Sequence, residues 1–91
     1  MADRASDVLD ALGDPTRRAV LRLVAERPRP VGAIAAELPV SRPAVSKHLR
    51  VLEGADLVTA VDAGRQRIYS LAPQGFSALQ AWLTVMWDDA R

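Results

Sequence analysis

Residues 31–57, reading VGAIAAELPVSRPAVSKHLRVLEGADL, limit what this chain can fold into more than any other stretch. A short apolar helix comes first, Leu38-Pro39-Val40 breaks it, and Ser41 opens a second helix. At about 100° per residue, Val45, Leu49 and Leu52 of the second helix share one stripe. Pro43, Ser46, Lys47 and Arg50 lie on the opposite side. An apolar back with a front of small polar and cationic side chains suits an element that lies in a DNA major groove. The bland alternative is a helical hairpin with a solvated face, but such faces mix signs, and this front carries no acid before Glu53. The pattern is a helix-turn-helix over about 32–54.

The flanking chain supplies a scaffold. Residues 3–12 read as an amphipathic helix with Val8, Leu9 and Leu12 on its apolar side. Asp14 is a good N-cap for the next helix, and Pro15 fits its first position, where a missing N–H costs nothing. Ala19, Val20, Leu23 and Val24 then recur at helical spacing up to Glu26, and Arg27-Pro28-Arg29-Pro30 reads as a breaker. The spacing predicts a third helix from about Gly32 to Glu37 and a fourth from about Arg42 to Gly54. Val58 to Val61 and Arg67 to Leu71 carry β-branched or aromatic residues, joined through Asp62–Gln66 as a hairpin with a basic tip. Ala72-Pro73 begins a last helix, about 73–88. The expected fold is mainly α with a small β-hairpin: one winged helix-turn-helix domain over 1–91, its wing at about 58–71.

Length and composition narrow the function. A chain of 91 residues is one domain. At this size folding buries only about 60% of the unfolded surface, so association is a gain. Cysteine is absent and there is a single histidine, which excludes disulfides, thiolate metal sites and His-rich clusters. Ser46 and His48 lie about 200° apart on their helix and cannot form a nucleophile–base pair. No catalytic constellation remains, so an enzyme is not expected, nor any cofactor. There is no apolar run of membrane-spanning length, and MADRASDVLD lacks a signal peptide's basic start. The default expectation is a cytoplasmic protein with no membrane partner.

Charge is uneven along the chain. Residues 1–14 hold four aspartates against one arginine, and residues 15–29 five arginines against one glutamate. Residues 41–67 hold five cations against three acids. A basic middle between acidic ends is expected where the middle meets phosphate. Ser41 is expected to cap helix four and touch phosphate; Arg42, Pro43, Ser46 and Lys47 to face base edges; and Arg50 to hold a phosphate. Arg65, Gln66 and Arg67 would form the wing contact, Arg65 and Arg67 pointing the same way if the strand extends that far. His48 falls between Ala44, Val51 and Leu52 in the apolar arc and reads as a packed histidine bonded to backbone or phosphate.

The last helix is apolar at Phe76, Leu79, Trp82, Leu83, Met86 and Trp87, a stripe broader than one small domain needs. Surplus apolar surface points to a partner. With Val8, Leu9 and Leu12 of the first helix, these residues are expected to form a homodimer interface. The competing class is a winged-helix protein-interaction module without DNA binding, against which the intact cationic front of helix four argues.

ALGDPTRRAVLRLVAE, SRPAVSKHLRVLEGADLV and GRQRIYSL together resemble the ArsR-type family of bacterial winged-helix repressors, over about Ala11 to Trp87. The resemblance implies a dimer on a palindromic operator, usually repressing a small operon that often includes its own gene. Metal-sensing members carry a cysteine pair in the third helix, where this chain has Val31-Gly32-Ala33-Ile34, or carboxylate and histidine pairs on the last helix, which here has no histidine. The resemblance is therefore to the branch without those metal sites. Pro39 stands where the family commonly has glycine. Asp56 does too, and aspartate tolerates the left-handed region moderately well. No operator, regulated gene or effector is legible.

Overall fold

The computed structural model describes residues 3–91. Helix α1 (Arg4–Ala11) is capped by Asp3, whose carboxylate accepts from the Ser6 N–H at 2.7 Å. Its far end is closed by the next helix. Arg17 Nε donates to the Ala11 carbonyl at 2.6 Å and Arg17 Nη2 to that of Asp10 at 3.2 Å. Arg18 Nη1 donates to the Leu12 carbonyl at 2.7 Å. Cations at the last carbonyls of a helix satisfy orphan acceptors and complement its dipole. These two arginines of the basic middle thus tie α1 to α2, a structural use that their charge alone did not disclose.

Helix α2 (Pro15–Glu26) starts as its sequence requires, with Asp14 Oδ1 accepting from the Arg17 N–H at 2.9 Å and proline in the first turn. The segment read as a breaker is more than that. Arg29–Pro30 forms a two-residue strand, β1, paired antiparallel with Tyr69 and Ile68. Proline is tolerated because β1 is an edge strand and needs no inward N–H from it. Helix α3 (Val31–Ala35) follows without a linker. A turn then leads to α4 (Arg42–Gly54), capped by Ser41 Oγ, which accepts from the Ala44 N–H at 3.2 Å. Pro39 sits in that turn without any positive φ around it.

Strands β2 (Val58–Ala63) and β3 (Gln66–Leu71) form the wing, and the sheet order is β1-β3-β2. The ladder runs out to Asp62↔Arg67 and Ala63↔Gln66, further than expected, so the turn is only Gly64-Arg65. Gly64 has φ 65° and Arg65 does not turn left-handed, which makes a type II′ hairpin. The sheet is three-stranded rather than a lone hairpin.

Ile34, Leu49, Leu52, Leu57, Val8, Val20, Val24 and Val45 are the largest fully buried side chains. Each is worth about 1.5–3 kcal/mol relative to exposure. Val8 was expected at a dimer interface, and this corrects that expectation: α1 packs on both α4 and α5 of its own chain, which leaves Val8 no surface for a partner. Leu12 and Leu79 also pack partly against the core, whereas Leu9 stays 43% exposed.

Helix α5 (Pro73–Ala90) is pinned at its start. Among the described residues, Asp56 is the one non-glycine with positive φ, at 58°. That twist aims its carbonyl at α5, where it accepts from the Gly75 N–H at 2.8 Å. A Cβ on Gly75 would collide with the Ala55 and Asp56 carbonyl oxygens, so glycine is needed there for close approach. Beyond this contact α5 packs on α1 and places Leu79 against the core, while residues 80–91 are all exposed.

Candidate nucleic-acid interface

Helix α4 is divided as its periodicity requires. Val45, Leu49 and Leu52 are fully buried, and Ser41, Arg42, Pro43, Lys47 and Arg50 are exposed. Ser46 is half-buried beside them. The apolar back fixes the helix while the front is free to approach a ligand. Lys47, Arg50, Arg42 and Arg65 have no ion-pair partner among the described residues, so their charge is not neutralised within the chain.

Arg42 does not stand alone in solvent. Its guanidinium lies over α3 at Gly32, where an added Cβ would come within 3.3 Å of it. The missing side chain at Gly32 leaves a shelf that orients Arg42 at the mouth of the helix-turn-helix. His48 is half-buried, and its Nδ1 is buried without a hydrogen-bond partner. The imidazole packs behind the cationic front, near the start of α2. Asp14 there is held below the ordinary carboxylate value of 3.8, chiefly by the Arg17 N–H, with His48 as a smaller electrostatic contributor.

The wing places its three polar residues differently. Arg65 occupies the tip of the turn, and Gln66 opens β3 beside it; both are exposed. Arg67 lies within the strand and turns back to α4, its Nη2 3.3 Å from Glu53 Oε2. Arg65 and Arg67 therefore do not act as a matched pair. Arg65 sits at the exposed tip, and Arg67 ties the wing to the end of α4. Sequence reasoning missed this link because Glu53 and Arg67 are brought together only by tertiary structure.

Arg29 was also invisible as anything but a cation. It is 4% exposed, pairs with Glu26 at 3.1 Å, and leaves Nε without a partner. No cue at the sequence level marks it, since Arg27 two residues earlier is exposed. With Arg17 and Arg18 capping α1, the cations free for phosphate concentrate on α4 and the wing tip. Among the described residues, no group of three His, Cys, Asp or Glu is arranged to hold a metal ion. No helix among them is long and apolar enough to cross a membrane.

Residues 12–61 match the family model for a helix-turn-helix domain. The chain is 50% identical over 80 residues to the HTH-type transcriptional regulator Rv2034 of Mycobacterium tuberculosis, covering 88% of this chain and 75% of that protein. The crystal structure of an ArsR family transcriptional regulator superposes with a TM-score of 0.86 at 30% identity, over 94% of each chain. The solution structure of a homodimeric winged helix-turn-helix DNA-binding domain from Mycobacterium bovis, described as a possible ArsR-family regulator, gives a TM-score of 0.76 at 30% identity. That match covers 97% of this chain and 82% of the other.

Proposed function

Because the chain belongs to the ArsR-type family of winged helix-turn-helix transcriptional regulators, which bind DNA and are not enzymes, we propose a specific mode of action for it. It acts in the cytoplasm as a homodimer on a palindromic operator and represses by covering a promoter. The observation that carries this reading is α4, whose back is fully buried and whose front offers unpaired Arg42, Lys47 and Arg50 to solvent. Arg42, Pro43, Ser46 and Lys47 read base edges, while Ser41 and Arg50 meet phosphate. His48 supports the front from behind. Arg65 enters or straddles the neighbouring minor groove, and Gln66 flanks it. Arg67 sets the wing's angle through Glu53 and reaches phosphate only on its outer side.

Each chain has one such helix. Two-fold pairing puts the second in a major groove about 34 Å away or a multiple of it, which requires a palindromic site. Leu9, Phe76, Trp82, Leu83, Met86 and Trp87 are the exposed apolar residues from which α1 and α5 build the pairing. Leu12 and Leu79 contribute what their own core leaves free. No thiolate- or histidine-bound metal serves as a signal in this reading, since the sequence has no cysteine and a single histidine.

A gel shift with the DNA upstream of the protein's own gene tests the reading, with Lys47→Ala as the companion variant. A discrete complex that the variant weakens is expected. Equal affinity of both proteins for any duplex would place the chain among winged-helix modules that do not read DNA.

A further inference from the structure

An open groove of about 710 Å³ runs along the outer side of α2 to the start of α5. Leu12, Ala19, Leu23 and Phe76 are among its apolar walls, and Arg18 and Arg22 are its charged residues, with no acid in the lining. The groove lies outside the DNA-reading front. We propose that it seats the Trp87 end of a second copy's α5, with that copy's Asp88 and Asp89 against Arg18 and Arg22. The inference rests on the homodimer reading above and specifies how the two chains engage.

Three observations carry it. The first is reciprocity of shape: Trp87 is 65% exposed and Met86 49%, on a helix end that nothing in its own chain covers. The second is position. The exposed stripe on α5 runs from Phe76 to Trp87. Two antiparallel copies of that stripe cover each other fully only when the two-fold axis falls at its midpoint, between Ala81 and Trp82. In that register the second copy's Trp87 lies beside Phe76, which is a wall of the groove. At about 1.5 Å rise per residue the stripe spans roughly 16 Å, enough to carry the aromatic end past the axis and onto α2. The third is charge. Asp88 and Asp89 follow Trp87 directly, and the groove offers two arginines and no carboxylate. Asp88 is held only by Arg91 of its own chain, in an exposed pair at 2.9 Å, which is readily exchanged.

The groove is also lined by Leu38, in the turn before α4, and by Leu71, at the end of β3. The seated tryptophan would therefore touch the supports of both DNA-reading elements, so pairing and DNA affinity are coupled through one contact.

Trp82→Phe leaves Trp87 as the lone tryptophan, because the chain has two. In a dilution series of this variant, Trp87 emission is expected to shift to the blue and acrylamide quenching to fall as the protein associates. Adding Arg22→Glu should weaken association by about tenfold or more and abolish the shift, since like charges are then apposed. Reversing both acids as well, Asp88→Arg with Asp89→Arg, should restore association and shift together. A dimer in which Trp87 stays as quenchable as in the monomer overturns the proposal but leaves the dimer standing, as does failure of the charge reversal to rescue. A protein monomeric at every concentration by light scattering removes the dimer reading itself, and this inference with it.

Discussion

Helices α4 and α5 both carry an apolar side, and they differ in what covers it. Val45, Leu49 and Leu52 of α4 are wholly buried by the chain's own α2, α3 and strands. Of the 18 residues of α5, only Gly75 is buried, and Leu83, Val85, Met86 and Trp87 are about half exposed or more. The helix-turn-helix half is therefore a finished fold in one chain, whereas α5 leaves apolar surface that its own chain does not cover and that a second copy covers in the dimer proposed above. On that proposal the apolar residues of α4 serve folding, and those of α5 serve assembly.

The sharpest way to break this contrast is to truncate each side. Leu49→Ala removes a fully buried side chain and should cost about 2–5 kcal/mol of stability in a denaturant melt, with DNA binding and dimer lost together. A loss below about 1 kcal/mol would mean that α4 is not closed by its own chain. Leu83→Glu, on a side chain 52% exposed, should instead leave the circular dichroism spectrum largely intact while light scattering shows a monomer. Its operator affinity should fall further than that of any single phosphate-contact variant, because one recognition helix is lost from the complex. A Leu83→Glu protein that still dimerises would erase the distinction between the two helices.

Smaller effects sharpen the α4 side. Lys47→Ala and Arg65→Ala should each weaken operator binding, and loss of a phosphate contact at Arg65 should lower the salt slope by about one unit across all sequences. Arg67→Ala should change that slope less, since its guanidinium is already paired with Glu53. Equal slopes for the two wing variants would place Arg67 on DNA. The Asp14 cap gives a pH signature. Its folded value lies below the ordinary 3.8, so its contribution is fully present above that pH and is lost as pH falls through the lowered value. Asp14→Ala should accordingly be less stable than the parent at neutral pH, and the two melts should converge only as pH falls through the lowered Asp14 value. Smallest of all, zinc, cobalt or nickel should leave operator affinity unchanged. A stoichiometric metal complex that releases DNA would refute the choice of family branch.

What the sequence disclosed follows from the range of the interactions involved. Asp14-Pro15 and Ser41 announce α2 and α4 because a cap bonds three residues away. Asp56 was tied to the left-handed region only through the family resemblance, because it stands where those repressors commonly have glycine, and its φ of 58° bears this out. Strand β1 could not be seen. Two prolines in four residues oppose a strand, and the opposing force comes from Tyr69 and Ile68, about forty residues on. The same holds at the site: the two-faced front of α4 was legible by periodicity, but the Glu53–Arg67 tie and the burial of Arg29 and Val8 exist only after tertiary packing.

That two-residue strand has a mechanical consequence. β1 is paired to β3 of the wing, whose other side holds β2, and it passes into α3 with no intervening residue. Through α3, which packs on α4, the wing's sheet and the recognition helix are joined in one connected frame, which in the proposed complex would meet a duplex as a unit. Such a frame would act as a calliper between Lys47 and Arg65. A duplex whose groove width does not fit must deform to match, at a cost that depends on its base steps. Discrimination would then extend to base pairs beneath the wing that no side chain reads, so that stiffness would become part of the operator's sequence.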